Sequence, residues 1–126
     1  MRKIFVLILT TFWITNSHAF VKEEAEAFCS SYKKGVESQP LPVKAADGSI
    51  VFKYDISCST LIAKHYREIP NQYISALKTN TKANSIHFYC DAMGSSRHYG
   101  MTFSDIYYDM NMKYLTTITV TPNDCK

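Results

Sequence analysis

Four cysteines constrain this chain more than any other feature. Cys29, Cys58, Cys90 and Cys125 stand at wide, nearly even intervals, and no two form a close pair. Zinc knuckles and thioredoxin-type redox sites need close pairs, so neither is expected. What the sulfurs do depends on the compartment. The first residues have the form of an export signal: Arg2 and Lys3, an apolar run over Ile4 to Ile14, then Ser17-His18-Ala19 with small residues at the positions a signal peptidase reads. The expected cut lies between Ala19 and Phe20. All four cysteines lie beyond it, and an even cysteine count in an exported chain predicts a disulfide framework. Four cysteines allow three pairings, and the spacing alone leaves them open.

The expected organisation is therefore a signal peptide over 1–19 and a single domain over 20–126, placed in the periplasm or outside the cell. The formal charge of +3 falls to about +1 once Arg2 and Lys3 leave with the signal. No basic run remains, so there is no electrostatic footprint for nucleic acid and no polybasic patch for a membrane surface. After cleavage no membrane anchor is expected.

Hydrophobic spacing predicts an amphipathic helix over Val21 to Lys34, with Val21, Ala25, Phe28 and Tyr32 on one face and Gly35 as its stop. Pro40 and Pro42 force extended backbone, and Leu41 to Ala46 reads as a short edge strand. Asp47-Gly48 is a hairpin turn. The next strand alternates, with Ile50, Phe52, Tyr54, Ile56 and Cys58 on one face and Lys53, Asp55 and Ser57 on the other. Ser59 to Glu68 suits a strand or a helix equally. Pro70 opens a helix carrying Tyr73, Ile74 and Leu77. Ile86, Tyr89, Cys90 and Met93 mark a further helical stretch, with Gly94 as its C-cap. Ser95 to Tyr99 reads as a loop. Met101 to Tyr108 and Lys113 to Thr121 form a terminal hairpin around an Asp109–Met112 turn, with Tyr114, Thr116, Ile118 and Val120 on one face. Pro122 ends it. The fold class is α+β: an N-terminal helix, an antiparallel hairpin, one or two helices and a C-terminal antiparallel hairpin, stabilised by disulfides.

The last third resembles the end of small exported proteobacterial proteins of unknown function. The shared elements are Cys90 in a helix, Gly100-Met101-Thr102, Tyr107-Tyr108, Asn111-Met112-Lys113, Leu115 to Val120, and Pro122-Asn123-Asp124-Cys125. The turn departs from that pattern, with Met112 where glycine is usual. Proteins of this type can have a single cysteine pair, so the resemblance implies a Cys90–Cys125 bridge and, with it, Cys29–Cys58. It implies no activity.

Catalytic and cofactor motifs are missing: no HExxH, no nucleophile elbow, no phosphate loop and no EF-hand. No metal site, cofactor or catalytic set is therefore expected. His87 and Asp91 lie four residues apart on a helix, which is the spacing of a surface ion pair as well as of a metal clamp. A Cys–His nucleophile would need a free thiolate, which oxidised cysteines do not offer. Ser95 and Ser96 near His98 and Asp91 imitate a triad only along the chain. The distinctive feature is aromatic. Tyr89, Tyr99, Tyr107, Tyr108 and Tyr114 gather near the terminal hairpin, and tyrosine and arginine are the residues of binding hot spots. The candidate binding surface comprises Arg97, His98, Tyr99, Tyr107 and Tyr108.

Two readings follow. In the first, the chain is a non-catalytic binding or accessory module that contacts another envelope or secreted protein; an exposed flat aromatic patch on the hairpin would support it. In the second it is a small hydrolase using histidine and carboxylate side chains. A concave pocket uniting His65, His87 or His98 with Asp91 or Asp105 would support that one.

Overall fold

The structure, a computed structural model, describes residues 22–79 and 81–125. The predicted signal peptide and its cleavage point lie outside the described residues. Helix α1 occupies 22–37. Ala25, Phe28, Cys29, Tyr32 and Val36 recur at helical spacing and form its core-facing stripe. Gly35 is not the stop that was expected. Val36 packs on the core one residue later, which offsets the roughly 1 kcal/mol an internal glycine costs.

Strands β1 (Val43–Lys44) and β2 (Ile50–Ser57) form the first antiparallel hairpin. The expected edge strand over Leu41 to Ala46 shrinks to two residues, because Pro40 and Pro42 offer no N–H to a ladder. The Asp47-Gly48 turn is present. Gly48 has φ +87°, and the Asp47 carboxylate accepts the Ser49 N–H at 2.9 Å. A Cβ on Gly48 would lie 2.7 Å from the Tyr73 ring, so glycine is required both for the turn and for its docking.

The segment left open by periodicity is a strand, β3 (Ile62–Glu68), antiparallel to β2 and parallel to β4 (Thr102–Tyr108). A parallel neighbour needs a crossover. Here a 3-10 turn at Asn71–Tyr73 and three helices supply it: α2 (Ile74–Thr79), α3 (Thr81–Ala92) and α4 (Gly94–His98). The predicted C-cap at Gly94 and loop over Ser95 to Tyr99 are thus corrected. Gly94 opens α4, whose Ser96 is buried, and the left-handed glycine is Gly100 at φ +79°. Strand β5 (Tyr114–Val120) completes a five-stranded mixed sheet in the order β1-β2-β3-β4-β5. The fold is α+β, as the pattern of elements implied.

Two bulges revise the predicted faces. In β2 the register passes from Val51↔Arg67 to Lys53↔Tyr66, so Phe52 and Lys53 oppose one residue. Val51 and Ile56 are consequently both buried, and Phe52 does not share their face. In the last hairpin Tyr107 pairs with Thr116 but Tyr108 with Tyr114. Leu115 takes the inward position, and Tyr114 leaves the face of Thr116, Ile118 and Val120.

The helices' apolar residues pack against one face of the sheet in two clusters. The larger holds Cys29, Ile56, Ala63, Tyr89, Met101, Phe103 and Val120; the smaller holds Ile69, Leu77, Tyr107 and Ile118. Disulfides join Cys29 to Cys58 and Cys90 to Cys125, the pairing the resemblance implied. The first ties α1 to the end of β2; the second ties α3 to the C-terminal turn.

Each bridge closes a loop of similar length, with sequence separations of 29 and 35. Replacing either pair by serine should cost about 4 kcal/mol in denaturant melts. Losses within a pair should not add, whereas losses across pairs should. At the β4–β5 turn Met112 has φ +65°. Met112→Gly should raise stability by roughly 0.5–1 kcal/mol, read as a higher denaturation midpoint at unchanged slope.

Candidate functional site

Strand pairing arranges the inner face in rows. Ala63, Phe103 and Val120 form an apolar row. Next come Tyr54, His65, Asp105 and Ile118, and then Val51, Arg67, Tyr107 and Thr116. Alternation along β3 therefore sends a histidine and an arginine inward, and register with β4 sets Asp105 beside His65. Above these rows, α1 contributes Tyr32, the β1–β2 turn contributes Asp47, α3 contributes Phe88, and Met93 follows from the α3–α4 junction. They enclose an open cleft of about 450 Å³.

The polar groups at the cleft are bonded to one another. Asp105 Oδ1 accepts from Arg67 Nε at 3.0 Å and from His65 Nδ1 at 3.3 Å. With Nδ1 donating to the carboxylate, His65 Nε2 accepts from the Tyr32 hydroxyl at 3.0 Å. Arg67 Nη1 donates to Ser49 Oγ at 3.1 Å and lies 4.0 Å from Asp47. The Tyr107 hydroxyl donates to the other Asp47 oxygen at 3.4 Å. Among the described residues, no buried side-chain polar atom lacks a partner.

Burial pushes the Asp105 carboxyl up, but the hydrogen bond from His65 and the charge and hydrogen bond of Arg67 outweigh it and hold the group below its ordinary value. Burial lowers Arg67, yet the carboxylates of Asp105 and Asp47 leave it raised overall. Burial, helped by the Asp105 charge, raises Tyr32 to about 12. The cleft thus contains an Asp–His–hydroxyl chain, the order of a hydrolytic triad, but its last member is a phenol held neutral. An activated nucleophile needs the opposite shift. The ionised Asp105 is also shared with Arg67, so the chain is built as a closed ion-pair network.

Of the histidines, the cleft unites His65 with Asp105 alone. His87 pairs with Asp91 at 2.9 Å on the exposed side of α3, and His98 is exposed on α4. Sequence reasoning named His65 and Asp105 but missed Tyr32, Arg67, Asp47 and Ser49. Alternation of Ala63, His65 and Arg67 was the available sign, and it has meaning only once β3 is known to be a strand.

The five residues proposed as a binding surface do not form one. Arg97 and His98 are exposed at the end of α4, where Arg97 Nη1 donates to the Cys90 carbonyl at 3.2 Å. Tyr99 stacks on Phe28 with ring centres 5.0 Å apart. Tyr107 is buried on the inner face and Tyr108 points to the outer face. Strand β4 runs between the Tyr99 and Tyr108 ends, a span of about 20 Å.

Tyr108 belongs instead to an aromatic band on the outer face. Phe52 meets Tyr66 at 6.4 Å and Tyr108 at 5.8 Å, and Tyr108 meets Tyr114 at 6.0 Å. The Lys53 ammonium lies 5.0 Å over the Tyr66 ring. None of these rings belongs to either core cluster, and Tyr114 is 54% exposed. The band spans β2 to β5 on the face away from the clusters.

No family model matches the sequence, and comparison with curated protein sequences finds no relative. Solved structures do share the fold. EpsS, the pilotin of the Vibrio vulnificus type 2 secretion system, matches with a TM-score of 0.65 at 18% identity, over 84% of this chain and 96% of that one. AspS, the type II secretion system pilotin of Vibrio cholerae, matches with a TM-score of 0.64 at 13% identity, over 85% and 97%. A Pseudomonas aeruginosa protein described as a candidate secreted protein matches with a TM-score of 0.64 at 9% identity, over 84% and 96%. The chain therefore has a pilotin-like α+β fold.

Asp105→Asn should cost about 3 kcal/mol at neutral pH, because it strips a largely buried Arg67 of its partner. The sign of its pH dependence is set. Asp105 is held below its unfolded value, so its contribution is present above the ordinary carboxylate range and lost as the pH falls through the folded value. The stability gap between the native chain and Asp105→Asn should shrink steadily in acid, as measured by urea melts across pH.

Proposed function

We propose that the chain is an exported, non-catalytic binding module that contacts a protein of an envelope secretion machine. The aromatic band of Phe52, Tyr66, Tyr108 and Tyr114 carries this reading. Four contiguous rings on the sheet face away from both core clusters, with one cation among them, have the composition of an interface centre. Export to an oxidising compartment, read from the N-terminal signal and the paired cysteines, supports it. So does the fold shared with proteins described as secretion-system pilotins. The His65–Asp105 pair in the cleft is the observation a hydrolase would require, but its hydroxyl partner is a neutral phenol and its carboxylate is engaged by Arg67.

The test is a Tyr108→Ser/Tyr114→Ser variant together with photo-crosslinkers placed at 114 on the band and at 97 on α4. The serine variant should melt within a few degrees of the native protein and bind its secretion partner about 30-fold more weakly. Crosslinks to that partner should form from 114. Retained binding, or crosslinks from 97 alone, would remove the band as the contact surface.

A further inference from the structure

The two edges of the sheet are unequal. At one side β1 ends the sheet with two residues. At the other, β5 presents seven residues, about 23 Å of strand, and among the described residues it pairs with no strand but β4. Exposed edges are ordinarily blunted by proline, by charge or by bulges. Past its bulge, the run Thr116-Thr117-Ile118-Thr119-Val120 contains none of these, and it is rich in strand-forming residues. A trench of about 420 Å³ lies along this strand, between Leu115–Ile118 and the α2–α3 residues Leu77, Lys78, Thr79 and Lys82.

One hydrogen bond shows which way the edge faces. The Lys82 ammonium donates to the Thr119 carbonyl from outside the sheet. In an antiparallel strand the backbone groups of alternate residues point the same way, so Thr117 also presents its N–H and C=O to the trench. Thr117 is exposed, and an exposed lysine side chain is readily displaced. The trench floor is apolar at Leu77 and Ile118. Among the described residues, its charges are the two lysines and no carboxylate lines it.

We propose that the β5 edge is a strand-addition site for an extended acidic peptide. The peptide pairs with Thr117 and Thr119 as a sixth strand, and its carboxylates meet Lys78 and Lys82. A second copy of the chain fits less well, because β5–β5 pairing would bring both copies' lysines to one seam. This site rests on the β5 backbone and the two lysines rather than on the aromatic rings, although the Tyr114 hydroxyl and the Thr117 hydroxyl share a hydrogen bond at 2.8 Å.

The probe is a short labelled peptide of alternating valine and glutamate, titrated onto the whole protein. Its controls are a lysine-for-glutamate version and a version N-methylated at alternate amides. The acidic peptide should bind, weaken with added salt, and slow amide exchange at Thr117 and Thr119. N-methylation should weaken it by about tenfold or more, since it removes backbone pairing and keeps charge. In Lys78→Glu/Lys82→Glu, preference should pass to the lysine peptide. The proposal fails if the acidic peptide does not bind at millimolar concentration, or if the N-methylated form binds equally well. It also fails if exchange changes only at residues away from β5, or if the free protein is a dimer with those two amides already protected. Loss of partner binding in Tyr108→Ser/Tyr114→Ser bears on the band, and acidic-peptide binding by the same variant bears on the edge, because that variant keeps the Thr117 and Thr119 backbone and both lysines and loses only the Tyr114–Thr117 side-chain bond.

Discussion

The parallel ladder between β3 and β4 holds the two antiparallel halves of the sheet together. It runs in register from Ile62↔Thr102 to Glu68↔Tyr108. Parallel pairing brings together strands far apart in the chain, so its loop-closure cost is met only when the intervening helices also pack. They do so through Leu77 and Tyr89, and the Tyr89 hydroxyl donates to the carbonyl of Met101, just before β4, at 2.6 Å. The Cys90–Cys125 bridge then ties this crossover to the far end of the second hairpin. The ladder and the bridge close overlapping loops that share α4 and β4.

The same register decides the chemistry. Once β3 and β4 align, Asp105 must stand beside His65 and Tyr107 beside Arg67. Ionisable groups on an inner sheet face are costly unless each finds a partner. Here Arg67, Asp105, His65, Tyr32, Ser49 and Asp47 satisfy one another, and the network bridges β3, β4, α1 and the β1–β2 turn. It specifies how those elements meet, and burial within it raises Tyr32.

The acid and base of the cleft are thus hydrogen-bonded to one another, and in the reading proposed above recognition falls to other surfaces. Among the described residues, the outer face carries rings that belong to neither core cluster, and the β5 edge carries backbone groups without a second neighbouring strand. These are the two surfaces on which the proposals above rest. A fold shared with secretion-system pilotins, at identities below 20%, agrees with a scaffold whose surfaces are adapted while its core topology is kept.

Local chemistry was legible in the sequence wherever one residue type decides the backbone. Asp47-Gly48 predicted its turn because only a residue free of Cβ strain takes that φ beside Tyr73. The α1 stripe, the α3 face around Tyr89, the terminal hairpin and the α+β class followed from periods of 3.6 and 2. Failures came where tertiary contacts overrode the local pattern. Val36 carried α1 past Gly35, and Ser96 let α4 form where a loop was expected. Bulges at Phe52 and Leu115 reversed the faces of Phe52 and Tyr114. The sequence by itself determined where the chain turns, which stretches are amphipathic and that its cysteines stand apart. Only the tertiary structure decided that residues 62–68 are a central strand, because a short run with both periodicities is settled by its neighbours. From that one decision came the cleft, the aromatic band and the open edge.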